Sequence, residues 1–316
     1  MIIAVTGASG FIGTELLAEL NKRDDVSVIA LTRDASGKES SGRCEWRSTD
    51  YSYESLKDIF RGYGVDGSLE NPGVDAVIHL AGVRGTEKDP EKFAVNLRMT
   101  DNVLRAMTVS SAKRIVFAST VSVYDDERLM PWTEEAPLRG RSCYGDSKAG
   151  CEALIQSYEE AFRKTRAPLT YGIARIAQVL GEGERRRGMM NVFLDTAREH
   201  GTLKVMGKSA AKKQYIYVKD LARILTVLAC GNERFTAEED IIVNAGMPNA
   251  YTNLEIAEIV NKVFENDTPI DYDDTYPETG RAFFMDTSRL HERLGIEPLD
   301  MEAAIRDMKE LQNREP

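Results

Sequence analysis

Short apolar runs alternate with amphipathic stretches over about the first 175 residues. The amphipathic stretches have helical spacing, and the first covers Thr14–Lys22. The strand candidates are Ile2–Val5, Ser27–Leu31, Cys44–Arg47, Ala76–Leu80, Arg114–Ser119 and Tyr171–Ile176. Alternation of this kind predicts an α/β fold, a doubly wound parallel sheet covered by helices on both faces.

After about residue 175 the alternation breaks down, and turn-rich stretches appear at Gly181–Gly188 and Gly246–Thr252. We expect the segments around Tyr215–Cys230 and Ile241–Gly246 to return to the main sheet. The predicted main domain is residues 1–175 plus about 213–246, and the predicted smaller C-terminal lobe is about 176–212 plus 247–316. Ligands of such sheets bind beyond the carboxyl ends of the strands, so the smaller lobe is expected to hold the substrate.

The turn between the first strand and the first helix carries Gly7, Gly10 and Gly13. Gly7 permits a tight turn, Gly10 lets the backbone approach a pyrophosphate, and Gly13 lets the helix pack closely on the strand. The N–H groups and the dipole of the helix N-terminus attract phosphate oxygens. The strand and helix on either side favour a dinucleotide-binding loop over an ordinary glycine-rich turn.

Tyr144 and Lys148 lie about 130 residues after this loop and four residues apart, on one face of a predicted helix. A phenol has a pKa of about 10 and is a poor base at neutral pH. A neighbouring ammonium favours the phenolate and is expected to lower the pKa of Tyr144 into the range of an acid/base catalyst. Such a pair alone is weak evidence, and the glycine-rich loop upstream strengthens it.

Composition and charge exclude several classes of function. The chain of 316 residues, 42% hydrophobic, can bury one large core or a large domain with a smaller lobe. No run approaches the length of a membrane helix, and the net charge of −10 argues against a nucleic-acid partner. No cysteine pair has CxxC spacing and no secretion signal is evident, so we expect a cytoplasmic protein with reduced thiols. The histidines are scattered, so no metal site is expected.

Six sequence blocks in order resemble the extended short-chain dehydrogenase/reductases, and within them the NAD-dependent epimerase/dehydratase family that modifies nucleotide-linked sugars. The blocks are TGASGFIG at 6–13, DAVIHLAG at 75–82, VNL at 95–97 with NVL at 102–104, STVSVY at 119–124, YGDSK at 144–148 and QYIYVKD at 214–220. The resemblance covers nearly the whole chain. It implies a Rossmann fold, an NAD(P) cofactor and a nucleotide-diphosphate sugar as substrate, and it is much less specific for the substrate than for the cofactor.

The resemblance implies a role for each residue of the reacting centre. Tyr144 exchanges a proton with a substrate oxygen while hydride moves to or from the nicotinamide, and Lys148 lowers the pKa of Tyr144 and bonds the nicotinamide ribose. Thr120 bonds the same substrate oxygen, and Ser119 lies beside the nicotinamide. For Ser119 and Thr120 the alternative is an ordinary polar strand end. His79 is implied to be a structural residue beside the cofactor.

Further binding residues follow from the same resemblance. The implied cofactor-binding residues are Gly7, Ser9, Gly10, Phe11, Ile12, Gly13, Arg33, Asp50, Tyr51, Leu80, Ala81, Gly82, Ser119, Tyr144 and Lys148. The implied substrate-binding residues are Thr120, Gln178, Asn191, Lys213 and Arg281. For Asp50 a turn or helix-capping role is the alternative.

The end of the second strand bears on cofactor choice. NAD users of the family commonly place an acidic residue there, where it binds the ribose hydroxyls, and this chain has Thr32 followed by Arg33. A guanidinium suits a 2′-phosphate through bidentate, charge-assisted bonds. We therefore predict a slight preference for NADP(H) over NAD(H). A solvated arginine, partly neutralised by Asp34, is the alternative.

Departures from the family pattern narrow the chemistry. The family's 4,6-dehydratases carry an Asp-Glu pair after the catalytic threonine, and this chain has Val121-Ser122 there, which disfavours dehydration. Lys213 replaces an arginine that meets the substrate diphosphate, and Gln178 replaces an asparagine that meets the sugar. Both changes weaken the expected substrate contacts.

The sequence favours a nucleotide-sugar epimerase that oxidises a sugar carbon transiently. Alternatives are an NADPH-dependent reductase of a nucleotide-linked keto-sugar or of an uncharged ketone or aldehyde, and a non-catalytic NAD(P)-sensing scaffold. The resemblance also implies a homodimer formed through helices at about 97–110 and 147–165, which the spacing of Leu97, Val103, Leu104 and Met107 allows but does not require. The run Arg185–Arg187 is either a phosphate-attracting lid or a solvated charge run.

Overall fold

A computed structural model describes residues 1–64, 67–84, 89–163, 168–184, 188–277 and 280–312, so the run Arg185–Arg187 lies outside the described residues. Its strands are β1 Ile2–Thr6, β2 Ser27–Thr32, β3 Cys44–Ser48, β4 Ala76–His79, β5 Arg114–Ala118, β6 Thr170–Ile176, β7 Gln178–Leu180, β8 Lys204–Met206, β9 Lys213–Tyr217, β10 Ile241–Ala245, β11 Ala250–Tyr251 and β12 Asp271–Asp273. The α-helices are α1 Phe11–Leu20, α2 Tyr53–Phe60, α3 Pro90–Thr108, α4 Cys143–Arg163, α5 Met189–Arg198, α6 Val218–Cys230, α7 Asn253–Phe264, α8 Ser288–Leu294 and α9 Met301–Gln312.

The main sheet has the order β10-β6-β5-β4-β1-β2-β3, and each neighbouring pair is parallel. This confirms the doubly wound α/β fold. The predicted strands are all present, with ends that differ by one residue at most. Helix α1 begins at Phe11 rather than Thr14, because Gly10 with extended backbone acts as its N-cap.

Apolar side chains fill both faces of this sheet. One cluster lies between the sheet and helices α1 and α6, with Val5, Val116 and Leu225 fully buried. The other lies under α2, α3 and α4, with Val77 and Ile115 fully buried. Burial on both faces explains why these strands read as continuous apolar runs.

Strand β9 does not join the main sheet, so that part of the expectation for residues 215–230 is wrong. It pairs with β7 in parallel and with β11 in a separate three-stranded sheet, whereas α6 and β10 do return to the main sheet. The reason is that β10 already pairs with the free edge of β6. The Ala177 N–H donates to the Ala245 carbonyl at 2.9 Å, and the chain then turns into β7.

A connecting segment, residues 282–286 (the strap), joins the small sheet to residues 125–142 (the flap). The Trp132 N–H donates to the Phe284 carbonyl at 3.0 Å, and Asp286 returns a bond to the Trp132 carbonyl at 2.8 Å. On its other side the strap pairs with β9, where the Gln214 N–H donates to the Phe283 carbonyl at 3.1 Å. The flap and the smaller sheet are therefore linked through one stretch of backbone.

Candidate active site

The glycine-rich loop has a shape that only glycine satisfies. Gly7 adopts a left-handed φ of 70°, and a Cβ there would lie 2.9 Å from the Ala81 nitrogen. A Cβ on Gly13 would lie 2.5 Å from the Ala8 carbonyl oxygen. The α1 N-terminus that follows has no side-chain cap, so its N–H groups remain free to bind an anion. The loop fits the pyrophosphate of a dinucleotide.

Thr6 and His79, at the ends of β1 and β4, hold this loop to the next strand. The Thr6 hydroxyl accepts from the N–H groups of Leu80 and Ala81 at 3.1 Å each and lies 2.7 Å from His79 Nδ1. Burial lowers the pKa of His79 to about 3, assisted by Lys148, so the imidazole is neutral. Thr6 was not among the predicted site residues, although it directly precedes the loop.

Predicted cofactor residues also surround the loop on the β2 side. The Ser9 and Thr32 hydroxyls lie 2.9 Å apart, and the buried Tyr51 hydroxyl accepts from the Gly7 N–H at 3.1 Å. Tyr51 therefore holds the glycine-rich loop through a direct hydrogen bond to its backbone. Asp50 is exposed and accepts from the Ser52 N–H at 2.9 Å. This bond is typical of a turn residue, the alternative to a cofactor-binding role for Asp50.

Arg33 extends from the end of β2 as an exposed side chain. The carboxylate of Asp34 accepts instead from the Ser36 N–H at 2.9 Å and the Ser36 hydroxyl at 2.6 Å. Within the described ranges the Arg33 guanidinium has no hydrogen bond or ion pair, so it is available to an anion beside the loop.

Thr120 and Tyr144 meet beyond the carboxyl end of β5. Thr120 is 8% exposed, and its hydroxyl accepts from the Ser122 N–H at 3.2 Å. Tyr144 lies in the first turn of α4 with its ring 6.0 Å from that of Phe93. Burial raises the pKa of Tyr144, while a hydrogen bond from Thr120 and the charge of Arg84 oppose that rise.

Lys148 lies one turn further along α4 and is buried. Its ammonium donates to the Ala118 carbonyl at 2.8 Å and lies 4.5 Å from the centre of the Phe117 ring. Burial lowers the pKa of Lys148 to about 8, partly offset by Cys151 and Glu152. The expected lowering of the Tyr144 pKa is not found, because the Lys148 ammonium bonds to β5 and the groups that oppose the rise are Thr120 and Arg84.

Gly82 and Asn96 complete the surroundings of Lys148. A Cβ on Gly82 would lie 3.6 Å from Lys148 Nζ and 3.2 Å from Asn96 Oδ1, so Gly82 is next to both side chains. The Asn96 side chain accepts from the Val83 N–H at 2.7 Å and donates to Ser147 at 3.1 Å. Asn96 was missed as a site residue, although it lies in the VNL block.

A buried polar network runs from Ser119 away from the reacting groups. The Ser119 hydroxyl donates to the Glu152 carboxylate, which also pairs with the Arg175 guanidinium at 2.8 Å. Arg175 donates to the Tyr124 hydroxyl at 2.7 Å, and Tyr124 donates to Asn244 at 2.8 Å. Neither Glu152 nor Arg175 was among the predicted site residues. The signal for Glu152 was its spacing, four residues after Lys148, and the signal for Arg175 was its place three residues before Gln178.

The predicted substrate residues other than Thr120 come from the small sheet, from α5 and from the segment after Gly280. Lys213 is close to Gly280, whose Cβ would lie 3.4 Å from Lys213 Nζ. Arg281 forms ion pairs with the flap carboxylates Asp125 at 2.9 Å and Glu127 at 3.0 Å. Gln178 is exposed on β7, and Asn191 is half-buried on α5. No hydrogen bond in the described part of the chain joins these four residues.

Two further observations concern the described residues alone. None of the helices in them is long and apolar enough to cross a membrane. In the same residues, no group of three or more His, Cys, Asp or Glu could hold a metal ion.

The chain is similar in sequence and in fold to enzymes of nucleotide-linked sugars. The NAD dependent epimerase/dehydratase family matches residues 3–246. A UDP-glucose 4-epimerase of Bacillus subtilis is 26% identical over 316 residues, covering 94% of this chain and 92% of the relative. A dTDP-4-dehydro-6-deoxyglucose reductase of Escherichia coli is 23% identical over 307 residues, covering 94% of this chain and 92% of the relative. The crystal structure of UDP-N-acetylglucosamine 4-epimerase from Bacillus cereus is 28% identical, with a TM-score of 0.79 over 100% of this chain and 98% of that one.

Proposed function

Because the chain belongs to the NAD-dependent epimerase/dehydratase family, we propose that it is a nucleotide-sugar epimerase that oxidises and re-reduces one sugar carbon. The family consists of enzymes that use a nicotinamide cofactor, so a non-catalytic scaffold is set aside. The observation that carries the proposal is the meeting of Thr120, Tyr144 and Lys148 beyond β5, beside the glycine-rich loop.

The residues of the loop would hold the cofactor. The free N–H groups of α1 suit its pyrophosphate, and the close backbone packing at Gly7 and Gly13 gives the loop its tight turn. When bound, the nicotinamide accepts a hydride and can return it. We propose a preference for NADP(H), supported by Arg33, which has no hydrogen bond or ion pair among the described residues, and by the presence of Thr32 where NAD users carry a carboxylate.

Proton transfer falls to Tyr144. Its raised pKa keeps the phenol neutral in the protein alone, next to the Thr120 hydroxyl. As hydride leaves the sugar carbon, the proton of the attached hydroxyl must pass to a base. Tyr144 can take this proton only as a phenolate, so its own phenol proton must first leave for solvent, which the positive charge of an oxidised nicotinamide nearby would favour. The same proton returns to the carbonyl oxygen when hydride is delivered to the opposite face, so the reaction has no net oxidation.

The substrate would lie between the small sheet and the flap. We assign Lys213 and Arg281 to the diphosphate and Gln178 and Asn191 to the sugar and nucleotide. A diphosphate would have to replace the flap carboxylates as partners of Arg281. Lys213 offers a point charge without the fork of an arginine.

A reductase of a nucleotide-linked keto-sugar is the second candidate, favoured by Arg33 because NADPH is the usual reductant of such enzymes. The two functions differ in whether the cofactor stays bound. Mass spectrometry of the purified protein, followed by activity assays, distinguishes them. A retained cofactor and turnover of UDP-sugars in both directions support the epimerase. Stoichiometric oxidation of NADPH supports the reductase.

Tyr144→Phe tests the mechanism. Only a hydroxyl is lost, so the fold and the cofactor affinity should be kept while turnover falls by roughly 10² to 10⁴. Tyr53→Phe, which loses a hydroxyl on α2 far from Thr120, is the matched control. Turnover of Tyr144→Phe close to that of the control would remove Tyr144 from the proton transfer.

A further inference from the structure

Glu152 and Arg175 form a buried ion pair whose side chains are 1% and 3% exposed. Burying two charges costs several kcal/mol in desolvation, and replacing such a pair by packed apolar residues is often neutral or stabilising. Stability alone is therefore a weak reason for two charges at this position. The neighbours of the pair indicate another reason.

Each partner of the pair is attached to a part of the site. Glu152 accepts from Ser119, the residue before Thr120, and lies one helical turn after Lys148. Arg175 donates to the Tyr124 hydroxyl and to the Glu134 carbonyl of the flap, at 2.7 Å each. The pair thus joins the end of β5, helix α4 and the base of the flap.

The groups that act on the Lys148 charge come from several elements. Cys151 and Glu152 are on its own helix, and the neutral His79 is on β4. From β5 come the Ala118 carbonyl and the Phe117 ring, and from α3 the neutral Asn96. Arg175 on β6 acts through its pairing with Glu152. Of these groups, Glu152 is the carboxylate, and Arg175 balances it.

We propose that Glu152 and Arg175 are positioning residues that fix the Ser119–Thr120 strand end against α4 and keep the Lys148 ammonium charged. The proposal rests on the proposed role of Lys148 beside the cofactor ribose. It assigns no contact with substrate to either residue. They act through Ser119 and through the charge of Lys148.

Single substitutions should move the titration of Lys148 in opposite directions. Glu152→Gln removes the carboxylate and leaves the Arg175 charge unpaired, so Lys148 should lose its proton at lower pH. Arg175→Gln leaves the carboxylate unpaired, so Lys148 should keep its proton to higher pH. A nearby charge of this kind moves a midpoint by about one pH unit or more.

The readout is the affinity for NADH and NADPH as a function of pH, which requires no knowledge of the sugar substrate. In the wild type the affinity should fall as pH rises through about 8, the pKa of Lys148, and Lys148→Met should lose that dependence. We expect a lower midpoint for Glu152→Gln and a higher one for Arg175→Gln. Equal midpoints in all three proteins would overturn the proposal, even if epimerase turnover is absent from the wild type.

The double variant Glu152→Met with Arg175→Met guards against loss of folding in the single variants. It should fold, because no buried charge is left unpaired. Ser119→Ala is the companion variant, since it removes one hydroxyl and keeps both charges. If the pair positions the strand end, both variants should stay folded and lose roughly tenfold or more in turnover or cofactor affinity. If the double variant keeps the turnover and the cofactor affinity of the wild type, the ion pair has a structural role alone and the proposal is refuted.

Discussion

The Arg33→Ala variant gives the most direct test of cofactor choice. Arg33 has no ion pair or hydrogen bond within the described ranges, so its removal breaks no contact of the protein. A charge-assisted bond to a 2′-phosphate contributes about 1.5–3 kcal/mol, which corresponds to a preference of about ten- to a hundredfold. Because the side chain is exposed, solvent and salt screen the charge, and we expect the lower end of that range.

The assay is calorimetric titration of NADPH and NADH into the wild type and the variant. Wild type should bind NADPH about tenfold more tightly, and Arg33→Ala should lose most of that difference while its NADH affinity stays nearly unchanged. Raising the salt concentration from about 0.05 to 0.5 M should reduce the preference in the wild type alone, since the Debye length shortens.

Arg43→Ala is the matched control for Arg33→Ala. It removes the same charge from an exposed arginine at the opposite end of the sheet, where Arg43 pairs with Asp24 at 3.1 Å. Its cofactor preference should equal that of the wild type. If the wild type binds NADH as tightly as NADPH, Arg33 does not bind the 2′-phosphate. The protein is then better explained as an epimerase that holds NAD permanently.

Two further predictions concern stability and assembly. The pKa of Lys148 is about 8 when folded against 10.5 as its ordinary value, so the unfolded chain binds more protons between these pH values and stability should rise with pH by about 1.4 kcal/mol per unit. Urea unfolding of wild type and Lys148→Met at several pH values checks this, and a constant difference between them would contradict it. We also propose a homodimer through the outer faces of α3 and α4, where Leu97 is 37% exposed. Light scattering should show a dimer that Leu97→Asp dissociates, and a wild-type monomer at micromolar concentration would disprove it.

Most strands of the main sheet could be predicted because they are buried on both faces and are apolar runs, such as Ile2–Thr6. The edge strand Cys44–Ser48 is less buried and carries Glu45 and Arg47. The partner of β9 could not be predicted in this way. Lys213–Tyr217 has an apolar pattern that suits either sheet, and its place depends on β10 pairing with β6. Pairings between distant segments leave no local signal.

Helix α3 shows a second limit of prediction from sequence. The spacing of its apolar residues suits a dimer surface, but Val103, Leu104 and Met107 are at most 2% exposed and pack into the protein's own core. Periodicity shows that a helix has an apolar face. It does not show whether that face meets the same chain or another one.

The site could be predicted where the chemistry is local. The glycines of the loop and the Tyr144–Lys148 spacing are short motifs, and the structure brings them together with Thr120. The protonation states of Tyr144 and Lys148 could not be predicted, because they depend on how deeply the fold buries the two side chains. Glu152 and Arg175 were missed although each lies near a recognised residue, Lys148 or Gln178, because their pairing exists only after β6 lies beside β5.

The strap has a consequence for the order in which the protein is built. Residues 282–286 supply the backbone partners of Trp132 in the flap and of Gln214 in β9, both of which are made much earlier on the ribosome. Until the strap has emerged, Trp132 and Gln214 lack these backbone partners, although β9 can pair with β7 and the flap can bond to Arg175 through the Glu134 carbonyl. Contacts between such distant segments form late, because a long loop must close first. A truncated chain that ends before residue 282 would therefore keep the glycine-rich loop and lack the bonds of the strap to the flap and to β9.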